Sequence, residues 1–288
     1  RSRMFQTLFP GERELGAKLT ITPQDPFWSH FNLKAGIFNG VLNTASENDS
    51  KKDFIGRLGF TLPFREQNFA VDGGVSIYSG NVTNLTRSAY SYDKATHTYL
   101  PDTLNQAYAA STNDSLKAFK RQYVGLDVQM YYDVPVIGGA QVRAEYITGT
   151  QPGQLGATGA FFYGNSAISN TTPVYTRKFS GYYVTYVQSI GLKNQLVFKY
   201  DVFSPNKDAK DGTITNANTK IAARQMGIAD LRFKTVGFGL VHHFNPNVKF
   251  TFYYEKVYNQ KANGDATGAL NVFTKDVKDN VFTARVQY

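Results

Sequence analysis

The last ten residues, Asp279–Tyr288 (DNVFTARVQY), put Phe282, Ala284, Val286 and Tyr288 on one side of an extended chain. Thr283, Arg285 and Gln287 fall on the other side. Period-two alternation marks a strand with one apolar and one wet face. The pattern recurs from end to end. Leu15, Ala17, Leu19 and Ile21 alternate with Gly16, Lys18 and Thr20 over roughly 14–22, and Phe31, Leu33, Ala35 and Ile37 alternate with Asn32, Lys34 and Gly36. Phe54–Leu62, Phe69–Ile77, Val124–Tyr132 and Val142–Tyr146 repeat it, as do Tyr182–Ile190, Leu196–Val202, Val236–Leu240 and Val248–Tyr254. Eleven such segments are counted.

Their connections are sorted by length. Short turns fall at Pro23–Trp28, Pro63–Asn68, Pro135–Gly139, Gly191–Asn194 and Phe244–Asn247. Long polar loops fall at Asn43–Lys52, Gly80–Lys120, Gln151–Arg177, Ser204–Asp230 and Asn259–Asp279. Antiparallel strands with tight turns at one end and long loops at the other have the topology of an outer-membrane barrel. In hydrocarbon every backbone N–H and C=O needs an internal partner, and a closed barrel supplies one with strands of about 9–11 residues. The expected fold is therefore all-β: a transmembrane antiparallel up-and-down β-barrel. Every short turn lies on the side of Tyr288, the periplasmic side in this reading. Single-chain bacterial barrels have an even strand number. Eleven strands therefore predict that residues 1–288 form a single barrel domain that is the C-terminal part of a 14–18-stranded whole. The missing N-terminal strands would precede Arg1. The opening RSRMFQTLFPGERELG reads as a strand end and an outer loop.

Composition agrees. With 42% hydrophobic residues and a mean hydropathy of -0.35 the chain looks soluble, but so does a barrel whose strands are half wet. Aromatics at 15% suit interfacial girdles, and Phe27 and Trp28 sit in a turn where such an anchor belongs. Cysteine is absent, which excludes disulfides and thiolate metal sites. No apolar run approaches the ~18 residues of a spanning helix.

The net charge of +9 has a direction. The alternation puts Lys18, Lys34, Arg57, Arg121, Arg143, Arg177, Lys199, Lys249 and Arg285 on the wet face, with Asp53, Asp72, Asp127, Glu145, Asp201 and Glu255. The apolar face is almost free of charge, with Lys256 near a strand end where it can snorkel. A cation at the bilayer midplane costs about 2–4 kcal/mol, so this sorting assigns the apolar face to outer-membrane lipid. The same sorting disfavours nucleic acid, which needs an outward basic patch, and no nucleic-acid partner is expected. An excess of basic groups in a low-dielectric wall focuses positive potential. Lys18, Lys34, Arg57, Arg143, Lys199, Lys249 and Arg285 are accordingly the candidate pore-lining and anion-binding residues. The competing reading is that they brace the barrel by ion pairs, Arg143 with Glu145 or Lys199 with Asp201.

Catalytic signatures are not found. His242 and His243 are adjacent and face opposite sides of a strand, while His30 and His97 lie outside the strand centres. No Walker loop, dinucleotide fingerprint or HExxH is present. The expectation is a non-enzyme with no cofactor and no metal.

Four stretches carry a family resemblance: LFPGERELGAKL at Leu8–Leu19, LKAGIFNG at Leu33–Gly40, KKDFIGRLGFTLPF at Lys51–Phe64 and GGVSIYSG at Gly73–Gly80. Together they resemble the phosphate-selective porin O and P family over the first quarter of the chain. The resemblance implies a trimeric or monomeric channel in the outer membrane of a Gram-negative bacterium, passing small anions such as phosphate through a basic constriction. The family's arginine and lysine series has no residue-by-residue counterpart here. A different class of function is a non-conducting barrel serving as a structural subunit of a larger outer-membrane complex.

Overall fold

The computed structural model describes residues 3–8, 14–42, 51–84, 88–102, 117–155 and 173–288. Among the described residues thirteen strands follow one short helix, α1 (Arg3–Leu8). They are β1 (Glu14–Ile21), β2 (Phe31–Leu42), β3 (Asp53–Phe64), β4 (Phe69–Asn84), β5 (Ala89–Asp93) and β6 (Thr98–Pro101). β7 (Lys117–Val134), β8 (Gly138–Gly153), β9 (Val174–Ile190), β10 (Asn194–Ser204) and β11 (Phe233–His243) come next, then β12 (Lys249–Asn259) and β13 (Val281–Gln287).

Eleven of them form one wall in the order β1-β2-β3-β4-β7-β8-β9-β10-β11-β12-β13. Every wall pairing is antiparallel and joins strands next to each other along the wall, so the sheet runs up and down without a crossover. The eleven segments read from alternation are these eleven strands. Tight turns fix the register at one end. Gly191, at φ 60°, supplies the left-handed backbone of the β9–β10 turn, and Asn68, at φ 50°, does the same between β3 and β4. Between β1 and β2, the Asp25 carboxylate accepts the backbone N–H of Phe27 (3.0 Å) and Trp28 (3.3 Å). This holds the two rings outward, edge to face, with centroids 5.2 Å apart.

The outward face is apolar and bare. Leu19, Leu33, Leu58, Val75, Leu126, Phe198, Phe238, Phe252 and Phe282, from nine different wall strands, are each between 44% and 66% exposed. All stand at positions that alternation assigns to the apolar face. Apolar patches beyond a few hundred Å² are rare on proteins in water and mark a surface that something apolar covers. A band that runs unbroken across the wall of an antiparallel up-and-down sheet is the design of a membrane-spanning barrel. Among the described residues no helix is long and apolar enough to cross a membrane.

The opposite, inner face is packed toward the long-loop end. Residues 3–8 were expected to belong to a strand end and loop; they form α1 instead. RMFQTL has no period-two alternation to hold it in a sheet, and a helix this short owes its stability to packing rather than propensity. Leu8 supplies that packing, fully buried in a cluster with Tyr78, Tyr123, Ile147, Phe179 and Phe203 from β4, β7, β8, β9 and β10. The expected loop Gly80–Lys120 is also more ordered than its composition suggested. β4 runs on to Asn84, and β5 and β6 form a hairpin whose first strand pairs in parallel with the start of β9. Residues 85–87 and 103–116 of that loop lie outside the described residues. Tyr99, Tyr175, Ile214, Met226, Leu231 and Leu270 join the hairpin, the 205–232 segment and the 260–280 segment into a second apolar cluster beyond the sheet.

Candidate functional site

The inner face is built on close crossings over glycine. Lys199 on β10, Gly237 on β11 and Glu255 on β12 are paired in one row, and Lys199 donates across the glycine to Glu255 at 2.9 Å. Asp201 lies 4.0 Å from the same ammonium. The Tyr253 ring also rests on Gly237, where an added Cβ would come 2.6 Å from its Cζ. Further along the same face Arg57 (β3) passes over Gly74 (β4) to the carboxylate of Asp127 (β7). Its second amino group donates to Asp127 Oδ1 at 2.9 Å. An added Cβ at Gly74 would sit 2.8 Å from Arg57 Cζ. Nearer the long-loop end Asp53 (β3) meets Arg121 (β7) above Gly80 (β4), and Tyr78 donates to the same carboxylate. Arg121 also donates to the carbonyl of Gly40 at 3.1 Å.

One more pair sits where the wall meets the outer cluster. Arg177 and Asp230 have fully buried side chains, 3.7 Å apart at their nearest atoms. Arg177 donates to the carbonyls of Ala229 (3.2 Å) and Gln154 (2.8 Å), and Asp230 accepts from Tyr99 and from the Asn206 amide (3.1 Å). Burial pushes the Tyr99 hydroxyl well above its ordinary range, with the Asp230 charge adding to the shift against Arg177. In the hairpin burial raises Tyr92 to about 12.

The seven candidate residues divide on this geometry. All seven lie on the inner face by register, and Arg57 and Lys199 are tied to carboxylates. Among the described residues, no carboxylate lies within 4.0 Å of Lys18, Lys34, Arg143, Lys249 or Arg285. The Arg143–Glu145 brace does not form. The two alternate with Ala144 on one strand, and each finds a nearer polar partner. Arg143 lies 2.9 Å from the Gln141 amide, and Glu145 accepts from the Tyr183 hydroxyl at 3.3 Å on the neighbouring strand. The Lys199–Asp201 brace forms only loosely, Glu255 being closer.

Four of the five uncompensated cations lie near the two margins of the wall. Lys18 is on β1 and Lys34 on β2, while Lys249 is on β12 and Arg285 on β13. Among the described residues β1 pairs only with β2, and β13 only with β12. Sequence reasoning found these residues because their face follows from parity alone. It missed α1 and the glycine crossings, since which cation meets which carboxylate depends on register. The glycines at inner-face positions 74, 80 and 237 were the available signal.

No three His, Asp or Glu side chains converge as metal ligands among the described residues. His97 meets the Tyr92 hydroxyl at 3.2 Å and His242 the Asn194 side chain at 2.8 Å, while His30 meets the carbonyl of Thr61 at 3.0 Å.

No family model matches the chain, and no curated protein matches it. Among the solved structures similar to it in shape are two porins. A NanC porin in a rhombohedral crystal form superposes with a TM-score of 0.37 at 10% identity, over 94% of this chain and 90% of that one. A porin refined at 1.8 Å resolution superposes with a TM-score of 0.45 at 8% identity, over 95% of this chain. The alignment spans 60% of that porin's length. Neither likeness is close enough to carry a function to this chain.

Proposed function

We propose that the chain forms the wall of a porin in the outer membrane of a Gram-negative bacterium. It passes small hydrophilic solutes and prefers anions such as phosphate. The supporting observation is the charge balance of the inner face. Arg57, Arg121 and Lys199 are neutralised by carboxylates two strands away and Arg177 by Asp230 in the loop layer, while Lys18, Lys34, Arg143, Lys249 and Arg285 are not. Positive potential left over in a low-dielectric wall concentrates anions. In this reading the short turns and Tyr288 face the periplasm and the long loops face outward. The free margins of β1 and β13 suit a barrel of 14–18 strands, assembled as a homo-trimer or within a larger complex. The protein is a channel and not an enzyme.

The experiment is planar-bilayer recording in a salt gradient. Stepwise openings with a reversal potential of the anion-selective sign support the reading; cation selectivity overturns the anion preference.

A second reading has its own observation. α1 and the clusters around Leu8 and Tyr99 cover the inner face toward the long-loop end, as they would in a plugged, non-conducting structural barrel. An electrically silent protein that begins to conduct when residues 3–8 are deleted would favour it.

A further inference from the structure

The outward face is free of cations along its apolar band, but it carries several where the strands meet the long loops. Because β7, β9 and β11 start earlier than their alternation suggested, Lys120, Lys178 and Lys234 fall on outward positions, as Lys256 does on β12. All four are exposed. The outward positions of the wall strands in their short-turn halves contain no Lys or Arg.

The densest part of this collar lies over β10, β11 and β12. Lys234 is paired in register with Val202 on one side and Tyr258 on the other. A cleft of about 540 Å³ opens there, lined by Tyr200, Arg232, Lys234, Tyr258 and Lys261, with Asp211 as its only acidic residue. Asp211 is held by Arg232 at 2.8 Å, so it neutralises one cation and leaves the two lysines. At the rim the Lys256 ammonium stands 4.9 Å above the Tyr258 ring. Below the cleft Val236 and Phe238 lead down the apolar band. Tyr200 with Lys256, and Tyr258 with Lys234, share two successive rows where the apolar band ends, which matches an amphiphile whose chains lie on the wall and whose anionic head lies in the cleft.

We propose that this cleft binds the phosphorylated headgroup of an outer-leaflet glycolipid. Lys234 and Lys261 take the phosphate, Lys256 flanks it, and the acyl chains run down over Val236 and Phe238. The proposal rests on the membrane reading above.

The test is native mass spectrometry of the detergent-solubilised chain with diphosphorylated lipid A, with its phosphate-free counterpart, and with inorganic phosphate alone. The wild type is expected to retain lipid A and to release the phosphate-free glycolipid at least about tenfold more readily. Inorganic phosphate should neither be retained nor compete. A K234Q/K256Q/K261Q variant should lose about fivefold in affinity per lysine, on the order of a hundredfold together. K234R/K256R/K261R should keep binding. Equal retention of the two glycolipids, or equal binding by wild type and the glutamine variant, overturns the proposal. Displacement by inorganic phosphate overturns it in favour of a free-anion site. If the glutamine variant does not fold, comparison of the two glycolipids on wild type decides alone. Insertion into vesicles, measured in parallel, separates the two readings: protein that inserts but does not discriminate between the glycolipids sinks only the cleft, while protein that never inserts sinks the membrane assignment.

Discussion

Lys199 and Glu255 are not on adjacent strands, yet they meet at 2.9 Å because the residue between them on β11 is Gly237. The missing side chain lets a lysine from one strand reach the carboxylate two strands away, and lets the Tyr253 ring settle on the same spot. Arg57 and Asp127 repeat the arrangement over Gly74. The inner face is thus laced by contacts that skip a strand, which ties three strands together in addition to their backbone ladders.

The first prediction follows from that crossing. G237A introduces a methyl group where Tyr253 and the Lys199–Glu255 bridge already lie. Overpacking of this kind costs about 1–3 kcal/mol. Urea unfolding of the protein in detergent, followed by tryptophan fluorescence of Trp28 or by circular dichroism, should show that loss. G264A, in a loop where an added Cβ meets nothing within 4 Å, should not show it. An unchanged midpoint in G237A would mean the crossing is not packed as described.

Selectivity should track only the uncompensated cations. K18Q/K34Q/R285Q is expected to move the anion-to-cation permeability ratio toward one, read as a smaller reversal potential in the same salt gradient. The pair R57M/D127L removes a cation together with its own carboxylate and should leave the ratio near its starting value. The reverse pattern would place the selectivity in the paired residues.

The Arg177–Asp230 pair carries a third prediction. Both side chains are fully buried, and removing one member of a buried pair typically costs about 3–5 kcal/mol because the other is left uncompensated. D230A should therefore loosen the layer of loops around Tyr99 and Leu231. Limited proteolysis should cut within 205–231 much faster than in wild type, while the wall strands stay protected. Uniform loss of the whole fold, or no change in cutting, would contradict a locally acting pair.

The hairpin turn between β5 and β6 should respond to acid. The Thr96 hydroxyl (2.7 Å) and backbone N–H (2.8 Å) both donate to Asp93 and hold its carboxyl below the ordinary range. A depressed carboxylate lends order above its unfolded value of about 3.9, and that order goes as pH falls through the lower folded value. Amide protection in residues 93–98, taken as the intrinsic exchange rate at each pH divided by the observed one, should fall in wild type as pH drops below about 4. D93N should show low protection that does not change with pH.

What the sequence made legible was whatever period two and loop length control. A wall strand must be greasy on alternate residues along its whole length, so Leu19, Val75 and Phe252 each announced their face without any knowledge of their neighbours. Strand ends were harder. Lys120, Lys178 and Lys234 extend their strands with polar residues, which alternation in hydropathy does not distinguish from loop. α1 carried no period to read, and β5–β6 lay hidden in a stretch rich in Ser, Thr, Asn and Tyr. The pairings of Arg57, Arg121 and Lys199 depend on which residues stand side by side across three strands, and a single strand's pattern holds none of that.

Because the chain contains no cysteine, single cysteines can be placed one at a time at positions 250–255 of β12 and labelled with a nitroxide after reconstitution into lipid vesicles. Molecular oxygen, which concentrates in hydrocarbon, should relax the labels at 250, 252 and 254, and a water-soluble nickel chelate those at 251, 253 and 255. An accessibility that alternates in this way is the direct signature of a wall with lipid on one side and water on the other. Loss of the alternation, or chelate reaching the even-numbered positions, would show that the rows of Phe and Tyr face something other than lipid.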